Sequence, residues 1–279
     1  MPAHADFRVA PSLIELDVAR GGTAAGAFEV VLDGEPRSRL TVEPEDVVQL
    51  PNGGFSFKAP TGAREAPSSW LSVSPRRFAG APDRAQPVEF RLAVPRDAEP
   101  GEHTASLTVK RRVPAGPGEQ ATIVQALSVR ITIRVRGQAR EGVDVALDAP
   151  GVAGRGPVKA TLRVRNTGTT NLRFDGRNRG SLAFRHGDAV KARVALRGVL
   201  LPRQTRTVHL PWQDPPLAGK VSVRGQVRTA EGVVARTADT WMVPWRQAAA
   251  LALLSLGIAV LLGGRRHRGR HGGKAEPHA

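Results

Sequence analysis

The sequence predicts an all-β chain of two tandem β-sandwich domains followed by a single C-terminal transmembrane α-helix. Three observations carry that reading. Short runs with strict two-residue alternation of apolar and polar side chains recur from Phe7 to Trp245. Gly, Pro, Asn and Asp punctuate them, with hardly a helical period between. One uncharged stretch, AAALALLSLGIAVLLGG, then runs from Ala248 to Gly264.

The first domain, an immunoglobulin-like sandwich, is expected over 1–137. Leu13, Ile14, Leu16 and Val18 open a strand, and Phe28, Val30 and Leu32 alternate on the next. Val88, Phe90, Leu92 and Val94 face one way, with Glu89, Arg91 and Ala93 opposite. Ile131, Ile133 and Val135 alternate with Arg130, Thr132, Arg134 and Arg136, a half-buried strand with an arginine face toward solvent. At least seven such runs precede Gly137, as an immunoglobulin-like sandwich requires. Residues 138–142 form the expected linker, and 143–245 the second sandwich. There Val158, Ala160, Leu162 and Val164 alternate up to a turn at Asn166–Gly168, and Val221, Val223, Gly225 and Val227 alternate farther on. Domains of about 130 and 105 residues are large enough to bury a core unaided.

The helix is expected over 246–264 and a basic cytoplasmic tail over 265–279. Seventeen residues at about 1.5 Å each span roughly 25 Å, the short end of the transmembrane window. Trp241 and Trp245 fall where an interfacial aromatic belt belongs; Arg246, Arg265, Arg266 and Arg268 flank the run. Five Arg or Lys follow the span within the tail and three precede it nearby, so the body is expected outside the plasma membrane. MPAHADFRVAPS has neither a basic nor an apolar leader region, so an export signal is expected upstream of Met1 or already removed.

Charge excludes less than its total suggests. The net +16 divides into 18 basic and 16 acidic residues in 1–140, 17 and 8 in 141–245, and 6 and 1 in 246–279. No nucleic-acid-reading motif or basic helix accompanies it, so nucleic acid is not read as a partner. The arginines of the second domain are instead complementary to an anionic wall polymer or lipid. The chain has no cysteine, which excludes disulfide staples, thiolate metal sites and a cysteine nucleophile.

No side-chain set assembles a catalytic site. Nucleophile elbows, phosphate loops and zinc-binding helix motifs are absent, and the seven histidines are scattered. His103 reads as a strand residue after the Pro100-Gly101 turn, and Glu45-Asp46 and Glu15/Asp17 read as surface charge. The chain is therefore not read as an enzyme, and no cofactor or metal is expected. Trp70 and Trp212 are the candidate ligand-binding residues, since a flat ring stacks on a sugar face or anchors a protein interface; a core position is the competing reading.

SSWLSVSP (Ser68 to Pro75), VEFRLAVPRDAEPGEHTASLTV (Val88 to Val109) and LPRQTRTVHLPWQDPPLAGKVSV (Leu201 to Val223) together resemble the WxL-interacting surface proteins of Gram-positive bacteria. That resemblance implies a non-enzymatic, membrane-anchored cell-surface protein of an actinobacterial type. It implies a first domain associated with peptidoglycan and a second that binds another surface protein. Two alternatives are a tail-anchored cytosolic adaptor with immunoglobulin-like domains and a pilus-type chaperone that works through an exposed sandwich edge.

Overall fold

A computed structural model describes residues 7–32, 38–59, 66–114, 122–154, 156–174 and 179–268; within these, the side chains of 113, 114, 122, 246–248 and 261–268 are not described. The first sandwich is built from β1 (Phe7–Ala10), β2 (Leu13–Val18), β3 (Thr23–Leu32), β4 (Ser38–Gln49), β5 (Phe55–Lys58), β6 (Leu71–Ser74), β7 (Arg77–Gly80), β8 (Gln86–Ala93), β9 (Gly101–Pro114) and β10 (Thr122–Val135). One sheet has the order β1-β3-β8-β6. The other runs β2-β10-β9-β4-β5, with β7 also beside β4.

Alternation translates directly into burial here. Val88, Phe90 and Leu92 are buried while Glu89, Arg91 and Ala93 are exposed, and Phe28, Val30 and Leu32 close the same core from β3. Ile131, Ile133 and Val135 meet them from β10. Each such side chain contributes about 1.5–3 kcal/mol over leaving it in water.

The first strand divides between the sheets. β1 pairs antiparallel with β3; after Pro11 the chain crosses over, and β2 pairs parallel with β10. This crossing has a lasting effect, because β2 covers only Arg130–Val135 of β10.

The second sandwich follows with β11 (Val143–Asp148), β12 (Val152–Ala153), β13 (Val158–Asn166), β14 (Leu172–Phe174), β15 (Gly180–His186), β16 (Ala189–Ala195), β17 (Gly198–Leu200), β18 (Thr205–Trp212), β19 (Gly219–Thr229) and β20 (Gly232–Met242). Sheets β11-β13-β18 and β12-β20-β19-β15-β16 enclose its core, and β14 and β17 form a separate ribbon. Val158, Ala160, Leu162 and Val164 are buried on β13, and Val221, Val223 and Val227 on β19. The Asn166 turn is more than punctuation. Its side chain is fully buried, donating to the carbonyls of Thr170 and Leu200 and accepting the Gly168 N–H.

The segment joining the sandwiches is pinned rather than loose. The Arg140 carbonyl accepts the Thr169 N–H at 2.9 Å, the Gly142 carbonyl accepts that of Thr167, and the Glu141 carboxylate accepts that of Ala230 at the β19–β20 tip. β20 runs from that tip to Met242, and after Val243 and Pro244 α1 (Trp245–Arg268) begins.

Among the described residues no helix is long and apolar enough to cross a membrane. The expected span, Ala248–Gly264, extends past the side chains described within α1, which are Trp245 and 249–260. Of the expected interface anchors, Trp241 and Trp245 are 53% and 60% exposed. The side chains of Arg246, Arg265, Arg266 and Arg268, and the tail beyond 268, lie outside the described residues.

Candidate functional site

Two features stand out on the larger sheet of the first sandwich: a covered end, where the second sandwich docks, and an open end. The register of β9 and β10 locates both. Residues 102, 104, 106, 108, 110 and 112 of β9 share the outer face with 124, 126, 128, 130, 132 and 134 of β10.

The covered end modifies the expected solvent-facing arginine row at one position: Arg134 and Arg136 are exposed and Arg130 is half-buried, but Thr132 between them is buried. Thr104 and Thr132 are buried on that face, because Val199 and Leu201, in and beside β17, lie over it with Leu13. Gln49 is the clamp. Its Nε2 donates to the Val199 carbonyl at 2.6 Å and its Oε1 accepts the Leu201 N–H at 3.0 Å, so a buried side-chain amide pairs like a strand. Beside it the buried Glu102 carboxylate accepts the Asn171 N–H at 2.6 Å and Arg173 at 3.1 Å, and the Glu102 N–H donates to the Thr169 carbonyl. Removing either partner would leave a buried polar group unpaired, at about 1–3 kcal/mol. None of these residues is marked by local pattern; each is polar and ordinary until the second domain arrives.

Both candidate ligand-binding tryptophans are core residues, which corrects the sugar-stacking expectation. Trp70 ends a 3-10 turn (Pro67–Trp70), is 6% exposed and tilts against His103 with ring centroids 4.9 Å apart. Trp212 is 8% exposed and packs on Phe184 at 5.3 Å. Buried rings with an aromatic neighbour offer no free face to a sugar.

Glu45 likewise departs from the surface-charge expectation. It is 5% exposed, with the Lys110 ammonium 2.6 Å from one oxygen and the Thr108 hydroxyl donating to the other at 2.6 Å. Its burial depends on partners more than sixty positions away, invisible to any local window. Glu15 and Asp17 do lie at the surface, paired with Arg173 and Arg136.

His103 carries a pH signature. Burial holds its imidazole below the ordinary value of 6.5, while Nε2–H donates to the Glu99 carbonyl at 2.8 Å; Glu99 opposes the shift and Arg203 adds to it. Over the interval between the folded and unfolded values the unfolded chain binds the extra proton. The neutral ring's stabilisation is therefore complete above about pH 6.5 and declines as pH falls toward the folded value. The urea midpoint is expected to fall from pH 7 to pH 5 in the wild type, and to fall less in His103→Gln. An equal fall in both would assign the loss to other groups.

The open end is the first half of β10. β1 has left this sheet, and among the described residues no strand pairs with the outer edge of 122–129. The Arg130 N–H donates across that edge to the Ser12 carbonyl. By strand alternation the N–H and C=O groups of Val124, Ala126 and Ser128 point the same way, and among the described residues no strand receives them. Ile123 and Val124 are 48% and 52% exposed along it.

Beside this edge lies a hollow of about 760 Å³ lined by Arg39, Arg77, Lys110, Arg112, Glu43, Phe78 and Val124, among others. Lys110 bridges Glu43 and Glu45 at 2.8 and 2.6 Å. The Lys110 hydrogen bond, with the charges of Lys110, Arg112 and Arg77, holds the Glu43 carboxyl below its usual range against the opposing effect of burial. The potential there is positive.

No family model matches the sequence, and no curated protein matches it. Among solved structures, the chain is similar to one from the chaperone–tip adhesin complex of CFA/I fimbriae biogenesis, at 9% identity over 84% of this chain and 99% of that one, TM-score 0.46. It is similar to the class 5 fimbriae chaperone CfaA at 7% identity, covering 83% and 98%, TM-score 0.44. It is also similar to the E. coli chaperone DraB at 14% identity, covering 84% and 96%, TM-score 0.42.

Proposed function

We propose that this chain is a non-enzymatic, membrane-anchored protein-binding module whose first sandwich accepts an extended segment of a partner protein as an added strand. The observation that carries the reading is the open half of β10. A sheet edge with unpaired backbone groups and exposed apolar side chains is a template for strand addition. That edge favours the chaperone-like alternative over peptidoglycan binding, because the tryptophans that would stack on wall sugar are enclosed.

The anchor is α1. Leu251, Leu253, Leu254, Leu256, Ile258 and Val260 are all at least 50% exposed. At 100° per residue they surround the helix rather than form one stripe, and a helix apolar on every side belongs in an apolar medium. The apolar sequence continues to Gly264, followed by the arginine-rich tail, and that order supports a body outside and a tail in the cytoplasm.

Ala126→Pro tests the strand-accepting edge. Its N–H faces outward, so proline removes a donor that an incoming strand needs while leaving the β9 ladder intact. A photo-crosslinking side chain at position 124 in the native host is expected to capture a protein segment. Proline at 126 should reduce that adduct at least tenfold, with the unfolding midpoint little changed. Equal capture at Arg91, on the outer face of the other sheet, or no effect of the proline, would overturn the reading.

A further inference from the structure

We infer that the segment added to β10 is acidic, with an Asp or Glu facing Arg112 and its neighbouring acidic side chains held in the positive field of Arg39 and Arg77. This rests on the strand-accepting reading and names the chemistry of its partner. The sheet register sets up the recognition. Val124 stands opposite Arg112 and Ala126 opposite Lys110; Lys110 stands opposite Thr41, and Thr41 opposite Arg77. Arg39 stands opposite Ala79. The outer face at this end is thus a basic surface lying inward of the open edge.

The basic groups are not equivalent. Lys110 is already engaged by Glu43 and Glu45. Arg39, Arg77 and Arg112 are exposed, and among the described residues no carboxylate lies within ion-pair distance of them. Three guanidinium groups beside Phe78 and Val124 form an apolar-floored site for anions.

Reach is compatible with an added strand. Neighbouring strands lie about 4.8 Å apart, so the new strand would run roughly 10 Å from β9. For Arg112 an arginine and a glutamate side chain extending from the two sides close that distance, with only Val124 and Ala126 between; Arg39 on β4 and Arg77 on β7 lie one and two strands farther and act through their field. On the added strand, side chains facing Arg112 alternate with side chains facing the sandwich interior beside Ile123 and Leu127. The matching segment alternates acidic with apolar residues. Lipid headgroups and polyphosphates are anionic but have no backbone ladder to pair with Val124, Ala126 and Ser128, and so use half of what the surface offers.

The test uses the full chain in neutral detergent micelles and two labelled nine-residue probe peptides, one alternating Glu with Val and the other Gln with Val. Fluorescence anisotropy at low salt is expected to show about threefold tighter binding of the Glu peptide, since one exposed ion pair contributes a factor of about two and the weakly screened field of Arg39 and Arg77 adds to it. The preference should shrink in 0.5 M salt and vanish in Arg39→Gln/Arg77→Gln/Arg112→Gln. Equal binding of both peptides, lost in Ala126→Pro, would overturn the acidic preference and leave strand addition standing. Glu-peptide binding that survives Ala126→Pro, or failure of either peptide to bind while inorganic polyphosphate does, would overturn the proposal in favour of a simple anion site.

Discussion

Gly101→Val is expected to force the two sandwiches apart. Gly101 opens β9 with φ +139°, and a Cβ there would lie 2.2 Å from the Thr169 carbonyl oxygen, the same oxygen that accepts the Glu102 N–H. The backbone conformation costs a non-glycine residue about 1–3 kcal/mol. The overlap adds about 1–3 kcal/mol, unless the Thr169 turn moves away and surrenders the contacts of Glu102 and Gln49. Gly232→Val is the control, since Gly232 has nearly the same φ, +140°, with nothing within 4 Å. Gly101→Val should lose more stability than Gly232→Val and become cleavable by protease in 136–142. Equal losses would mean that the docking contact contributes little.

Phe184→Ala is expected to cost about 3–5 kcal/mol, the usual range for deleting a fully buried phenylalanine. Phe184 is 0% exposed on β15, and its ring leans on Trp212. The cavity forms within one sandwich, so the second-domain transition in urea should move to lower concentration while the first-domain core of Phe28 and Phe90 keeps its own. A drop below about 1 kcal/mol would mean that the neighbours collapse into the space.

Strands were legible where burial is local and pairing is not consulted. β8 and β13 show it: their alternation alone names the core side chains, because each lies between two partners and shows one face to a single core. β10 was half legible. Its Ile131–Val135 segment alternates cleanly, but nothing in Thr122–Val129 reveals an open edge, which depends on β1 leaving the sheet at Pro11, far earlier in the chain. The junction was illegible for the same reason. Gln49, Glu102 and Thr132 are polar residues buried by a second domain, and local pattern assigns polar residues to solvent. Trp70 and Trp212 invited a binding role because large rings serve equally in cores and interfaces, and only packing decides between them.

The route by which β20 leaves the second sandwich has a mechanical meaning. The chain enters that domain at Val143, beside the junction, and leaves at Met242, after the 11 residues of β20, about 36 Å of strand. If a partner held by the first domain is pulled while α1 is fixed, tension enters and exits at opposite poles along the strand axes. The β19–β20 ladder, whose register runs unbroken from Thr229↔Gly232 to Gly219↔Met242, then lies crosswise to the load. Its hydrogen bonds would then share that load in shear instead of parting one after another, so under such tension the second sandwich resists opening.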